Sequence, residues 1–155
     1  MVDTDEPTVS VVLCTYALED YEHFREAADS VLDQTYDPVE LVVVVDGSEA
    51  VFEAVEADYG DREDIVLSLN DENVGLLESR NRGAELASGE IVAFIDDDAI
   101  AEPDWLSELV DTYQRRDALA AGGRMAPLWV AGEPPLPVEF YWLVGVTHRG
   151  FPTEE

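Results

Sequence analysis

Three consecutive carboxylates, Asp96, Asp97 and Asp98, follow directly on the apolar run Ile91-Val92-Ala93-Phe94-Ile95. Carboxylates this crowded repel one another unless a cation or solvent compensates, and hard divalent cations such as Mg2+ and Mn2+ prefer oxygen ligands. The chemistry open to the cluster is therefore binding of a divalent metal. An apolar run without polar alternation reads as a strand buried on both faces, as in the middle of a parallel sheet. The acids then stand at its carboxyl end, the edge where open α/β sheets bind their ligands. In a very acidic protein such a cluster can also be no more than a solvated loop, so its position has to separate the two readings.

The elements that would position the acids are legible on either side. Val9-Ser-Val-Val-Leu-Cys14 reads as a buried first strand, rich in β-branched residues, with Thr15-Tyr16-Ala17 as the loop after it. Tyr21, Phe24, Ala28, Val31 and Leu32 recur at helical spacing, and Asp37-Pro38 marks the turn that follows. Leu41–Val45 is a second buried strand that ends in Asp46-Gly47-Ser48, so two strands deliver polar groups to one edge. Val51, Val55 and Tyr59 mark a short helix, and Ile65–Leu69 a third strand nearer the sheet edge. The small residues Gly83, Ala84 and Ala87 suit a helix that lies close on a sheet, with Ser88-Gly89 as its stop. After the acids, Pro103 opens a helix with Leu106, Leu109, Val110 and Tyr113 on one stripe. Alternation of strand and helix implies an α/β, doubly wound, mostly parallel sheet with right-handed crossovers and helices on both faces. Ala118–Gly123 is expected to add a strand and a turn, and the aromatics Trp129, Phe140, Tyr141 and Trp142 read as packing for a core, with a wall for an acceptor as the functional alternative.

The chain has 155 residues, enough for one domain with a sizeable core, and 46% of them are hydrophobic. Its 8 basic residues, all arginine, stand against 36 acidic ones, for a net charge of -28. Self-repulsion of that size is relieved by salt, and the composition resembles that of proteins from salt-accumulating halophiles. The same charge excludes nucleic acid or an anionic membrane as a partner for the bulk surface. The single Cys14 excludes an internal disulfide. With no signal peptide and no membrane-spanning run, the expected location is cytoplasmic, with the inner face of the membrane as a second possibility. The absence of lysine argues against phosphate-accepting receiver domains and related phosphatases, which rely on one. The absence of a Gly-rich loop argues against an ATPase or a dehydrogenase. His23 and His148 have no ligand spacing and read as surface residues, and Cys14 reads as packing.

Taken in order, Val9–Tyr16, Ser30-Val-Leu-Asp-Gln-Thr-Tyr36, Glu40–Ser48, Asn73-Val-Gly75, Ser79-Arg-Asn-Arg-Gly83, Ala87–Asp98 and Pro103-Asp-Trp-Leu106 resemble the nucleotide-binding half of a family 2 glycosyltransferase of the GT-A fold. Each piece is weakly specific; the ordered set is specific. The resemblance implies that Thr15 and Tyr16 border the nucleotide base and that Asp46 hydrogen-bonds base or ribose. It puts Arg80 near the nucleotide and makes Asp96–Asp98 the family's Asp-x-Asp motif. Asp98 is then the main metal ligand, and Asp96 or Asp97 faces the ribose and the metal's waters, with Asp96 as a second ligand. The implied cofactor is Mn2+ or Mg2+.

The implied reaction moves a sugar from a uridine or guanosine diphosphate donor to an acceptor hydroxyl on a glycan or a lipid-linked sugar. A metal assists departure of the diphosphate, and the outcome is inversion. The implied organisation is a polar leader at 1–8, a nucleotide-sugar-binding domain at 9–123 and an incomplete acceptor-side region at 124–155, as if cut after the nucleotide-binding half. The family's general base is expected downstream of Glu155; Glu139, Glu154 and Glu155 are available carboxylates without its motif. Membrane association would then be peripheral, through a missing region or a partner. Val45 and Ala17 depart from the family, which often has aspartate and asparagine there. The alternative reading is a non-catalytic nucleotide-sugar-binding fragment that lacks the acceptor half.

Overall fold

The computed structural model describes residues 6–129 together with Gly132, Pro137 and Phe140. Its elements are β1 (Val9–Thr15), α1 (Tyr21–Leu32), β2 (Val39–Asp46), α2 (Glu49–Tyr59), β3 (Ile65–Asn70), α3 (Leu76–Leu86), β4 (Ile91–Ile95) and α4 (Trp105–Arg116), with one short 3-10 turn at Leu18–Asp20. The strands form one parallel four-stranded sheet in the order β3-β2-β1-β4. Two compact units divide the chain at Glu108 and Leu109, and the first carries the whole sheet. In the second, α4 ends with an ion pair between Arg115 and Asp111. Among the described residues no helix is long and apolar enough to cross a membrane.

β1 is buried along its whole length, and β2 from Leu41 onward. Pairing of Val11 with Leu41 and of Leu13 with Val43 puts Val9, Val11, Leu13, Leu41, Val43 and Val45 on one face. Right-handed crossovers from β1 to β2 and from β2 to β3 run in one direction and lay α1 and α2 on that face, where Phe24, Val31, Val51 and Val55 are fully buried. The crossover from β3 back to β4 runs the other way and lays α3 on the opposite face, over Val12, Cys14, Val42 and Val44. Gly83 permits the close approach, since a Cβ there would lie 2.3 Å from Val12 Cγ1.

Two expectations are corrected. β4 is an edge strand of the described sheet, not a central one, and it is not buried on both faces: Val92 is 37% exposed and Phe94 45%. Its inward residues pair with β1, but α3 lies over β1 and β2 and leaves the α3 side of β4 uncovered. Ala118–Gly123 forms no strand; alanines and a glycine pair lack the β-branched side chains that fill a pleated surface. Tyr141 and Trp142 lie outside the described residues.

At the sheet's amino edge Glu40 ties three segments together. Its Oε2 accepts from Ser10 Oγ and from Ser88 N (2.9 Å), and its Oε1 from Ser88 Oγ (2.7 Å); Gly89 N donates to Ser10 Oγ (2.9 Å). Burial alone would raise the Glu40 carboxyl, but the donors from Ser10 and Ser88 outweigh it and hold the group below the usual glutamate range. A lowered native pKa contributes stability above the unfolded-state range, and that contribution is lost as pH falls through the native value.

Glu40→Gln is therefore expected to cost about 1–3 kcal/mol at neutral pH. In urea titrations its gap to the parent should close as the pH falls below the carboxylate range. An equal gap at neutral pH and at a pH below the carboxylate range would show that ionisation plays no part. Gly83→Ala gains helix propensity but must displace Val12, for a net loss of about 1 kcal/mol or more. A rise in urea midpoint would mean that α3 does not sit this close.

Candidate functional site

The strand order reverses at β1, with β2 and β3 on one side of it and β4 on the other. The loops that leave β1 and β4 both start at the sheet's carboxyl edge, the edge at which ligands bind in such sheets. The chain after β4 then runs along α1, where Ala101 N donates to Ser30 Oγ (3.0 Å) and Leu106 N to Gln34 (2.9 Å). Leu13 pairs with Ile95, which brings the two strand ends level. Thr15 and Tyr16 therefore stand at the end of β1 and Asp96–Asp98 at the end of the neighbouring β4, on one edge of the sheet. The Tyr16 ring is 61% exposed, a free face on which a planar group can stack. Thr15 is 2% exposed, and its Oγ1 meets no partner in hydrogen-bonding geometry.

The acidic turn is closed by a hydrogen bond from Ala99 N to Asp96 O (3.1 Å). Arg80, one turn into α3, donates to Asp96 and forms an ion pair with it, both groups being partly exposed. Asp97 is half-buried. Burial raises its carboxyl above the ordinary range; the Thr15 hydroxyl dipole opposes the rise and the Asp98 charge adds to it. Cys14, just beneath, has its thiol pushed up to about 11, first by burial and then by Asp46, Asp97 and Asp96 against the opposing charge of Arg80. The thiol is therefore protonated at neutral pH and serves as packing.

Among the described residues no group of three or more acidic, histidine or cysteine side chains converges to cage a metal ion. The exposed Asp96 and Asp98 offer hard oxygen donors, which suits a cation that completes its shell with water and phosphate oxygens.

Asp46 occupies the neighbouring strand end and is nearly buried. Its Oδ1 accepts from Asn70 Nδ2 (2.9 Å) and Val74 N (2.9 Å), and its Oδ2 from Gly75 N (2.8 Å). Burial works to raise this carboxyl, yet donors from Asn70, Val74, Gly75 and Ser79 prevail and lower it. Asn70 is the direct cross-strand partner of Asp46, and its Nδ2 also donates to Ser79 Oγ (3.0 Å). Gly47 follows with a φ of +75°, and a Cβ there would lie 2.3 Å from Asn73 N, so the 71–75 loop rests on its backbone.

The structure thus gathers Arg80 and Asp96 in an ion pair, sets Thr15 beside Asp97 with Asp98 adjacent, and leaves Tyr16 open at the rim. Asp46 lies one strand over, engaged with the loop. His23 is exposed; His148, Glu139, Glu154 and Glu155 lie outside the described residues. Asn70 and Ser79 were not singled out from the sequence. Their signal was the rule that picked out the acids: Asn70 is the polar residue that ends an apolar strand.

Residues 10–153 match the family described as Glycosyl transferase family 2. A glucosyl-dolichyl phosphate glucuronosyltransferase of Haloferax volcanii is 59% identical over 145 residues, which cover 92% of this chain and 46% of that protein. A putative glycosyltransferase, EpsH, of Bacillus subtilis is 34% identical over 108 residues, 70% of this chain and 31% of that one. This chain therefore spans less than half the length of either relative. Among solved structures, a mannosyltransferase from Pyrobaculum calidifontis in complex with GDP-Man and Mn2+ superposes with a TM-score of 0.63 at 28% identity, over 71% of this chain and 33% of that one. The sheet is that of the GT-A fold, and the chain belongs to glycosyl transferase family 2.

Proposed function

We propose that this chain carries the nucleotide-sugar half of a glycosyltransferase that moves a sugar from a nucleoside diphosphate donor to the hydroxyl of a lipid-linked acceptor. The observation that carries this reading is the carboxyl edge shared by the paired strands β1 and β4, with an exposed aromatic residue after one strand and an arginine among carboxylates after the other. Donors in which a flat base is joined through ribose to a diphosphate match that sequence of surfaces. The named activity of the Haloferax volcanii relative supports a dolichyl phosphate-linked acceptor. An acceptor of that kind would bring the protein to a membrane surface as a peripheral partner.

In this reading Tyr16 stacks on the base, with Thr15 beneath it and Asp46 toward base or ribose. Asp98 and Asp96 would hold a divalent cation, Mn2+ or Mg2+, for which carboxylate oxygens are suitable ligands. Such an ion supplies Lewis-acid stabilisation of the departing diphosphate. Arg80 adds a second positive charge beside the same phosphates, and Asp97 orients ribose or the cation's waters. The acceptor hydroxyl forms its bond to the anomeric carbon opposite the breaking bond to diphosphate oxygen, which inverts that centre. Its proton passes to a carboxylate that lies outside the described residues.

Calorimetric titration with UDP and GDP in molar KCl, with and without Mn2+, tests the reading. Binding should depend on the metal and prefer one base, and Asp98→Ala should weaken it by more than about tenfold while far-UV circular dichroism stays unchanged. A folded parent that binds neither nucleotide, or an Asp98→Ala protein that binds as well as the parent, would overturn it.

A further inference from the structure

Asp46 and Asn70 end adjacent strands in direct register, and both are buried. An asparagine amide has two N–H donors, and Asn70 spends both: one on Asp46 Oδ1 (2.9 Å), the other on Ser79 Oγ (3.0 Å) in the first turn of α3. Asp46 in turn accepts the backbone N–H groups of Val74 and Gly75, the last two residues before that helix. Three elements, β2, β3 and α3, thus meet in one closed network, and the 71–75 loop lies over Gly47 with no room for a side chain beneath it. Both oxygens of the Asp46 carboxylate are held from within the chain, Oδ1 by Asn70 and Val74 and Oδ2 by Gly75, so these donors fix how the group is presented at the edge.

We propose that Asn70, seconded by Ser79, is a positioning residue of the nucleotide site: it fixes the rotamer of Asp46, and through Asp46 the loop and helix start that carry Arg80 toward the acids. The idea rests on nucleotide binding at this edge and adds to it a reason for a buried asparagine that touches no ligand. Buried polar groups in a satisfied network hold one geometry, and removal of one member leaves the others unpaired. Loss of Asn70 frees the Asp46 carboxylate to turn and slackens the helix start.

The test is titration of UDP and GDP with Mn2+ into the parent, Asn70→Ala, Asp46→Ala and the double variant, with thermal unfolding recorded for each. Asn70→Ala is expected to weaken binding of the preferred nucleotide about tenfold and to bring the two affinities together, as Asp46→Ala does. In the Asp46→Ala background Asn70→Ala should add nothing to the loss, because both act through one group. If Asn70→Ala fails to fold, Ser79→Ala decides, since it keeps the helix and strips one member from the network; a smaller loss in the same direction is expected. Unchanged affinity and unchanged base preference in the folded variant would overturn the proposal, and so would losses that add in the double variant. A parent that binds while these variants match it sinks only the positioning role; a parent that binds neither nucleotide sinks the nucleotide reading as well.

Discussion

A parallel strand can be joined to its neighbour only by a crossover, and here the longest crossover returns from β3 at one edge of the sheet to β4 beside β1. α3 must therefore span the middle of the sheet on the face that α1 and α2 leave open, and the rest of the site inherits its constraints from that passage. Close approach to Val12 requires a residue without a side chain, which is Gly83. A helix that starts where β3 stops must turn sharply, which Gly75 permits at a φ of +88°. Its first two turns then carry Ser79 inward to Asn70 and Arg80 outward to Asp96. The arginine at the acidic edge and the packing of the core belong to one helix.

Much of this was legible in the sequence because the strands are short apolar runs that end abruptly in polar residues. A β-branched run such as Val42–Val45 has one conformation that buries it, and the residue after it is bound to emerge at the sheet edge. Asp46, Asp96 and Tyr16 were therefore readable as residues of the sheet's carboxyl edge. What periodicity cannot carry is neighbourhood. The run 91–95 reads equally well as a central or an edge strand, since its composition records what it can pair with and not which elements cover it; Val92 and Phe94 stand exposed on the face that α3 does not reach. Register is hidden for the same reason. That Asn70 faces Asp46 follows from which residue of β3 pairs with which residue of β2, a tertiary fact with no local trace. The stretch 118–123 was misjudged as a strand because its small apolar residues resemble a buried run without having the bulk to fill one.

The same network bears on electrostatics. In a chain with a net charge of -28, a carboxylate has to be neutralised locally or left to solvent, and 8 arginines cannot pair with 36 acidic residues. Asp46 needs no cation, because amide donors from Asn70, Val74 and Gly75 compensate its charge. Asp96 takes Arg80. Asp98 has no ion pair among the described residues, so a divalent ion at the cluster would meet one carboxylate held by arginine and one held by water.

That division decides how an anion can enter so acidic a site. A diphosphate approaching Asp96–Asp98 would be repelled by three carboxylates. Arg80, already docked on Asp96, has only to swing its remaining N–H groups toward the newcomer, since a guanidinium offers five donors in a planar fork and the ion pair uses few of them. Both partners are partly exposed, so their mutual hold is weak, on the order of 0–1 kcal/mol, and trading it for a phosphate costs little. The Asp46 clamp is the opposite case: it is buried and held by Asn70, Val74 and Gly75 from within the chain. In the proposed binding mode a loosely paired arginine stands at the phosphate end and a rigid carboxylate at the base end, so that such a site would accept charge where charge arrives and hold shape where the base is read.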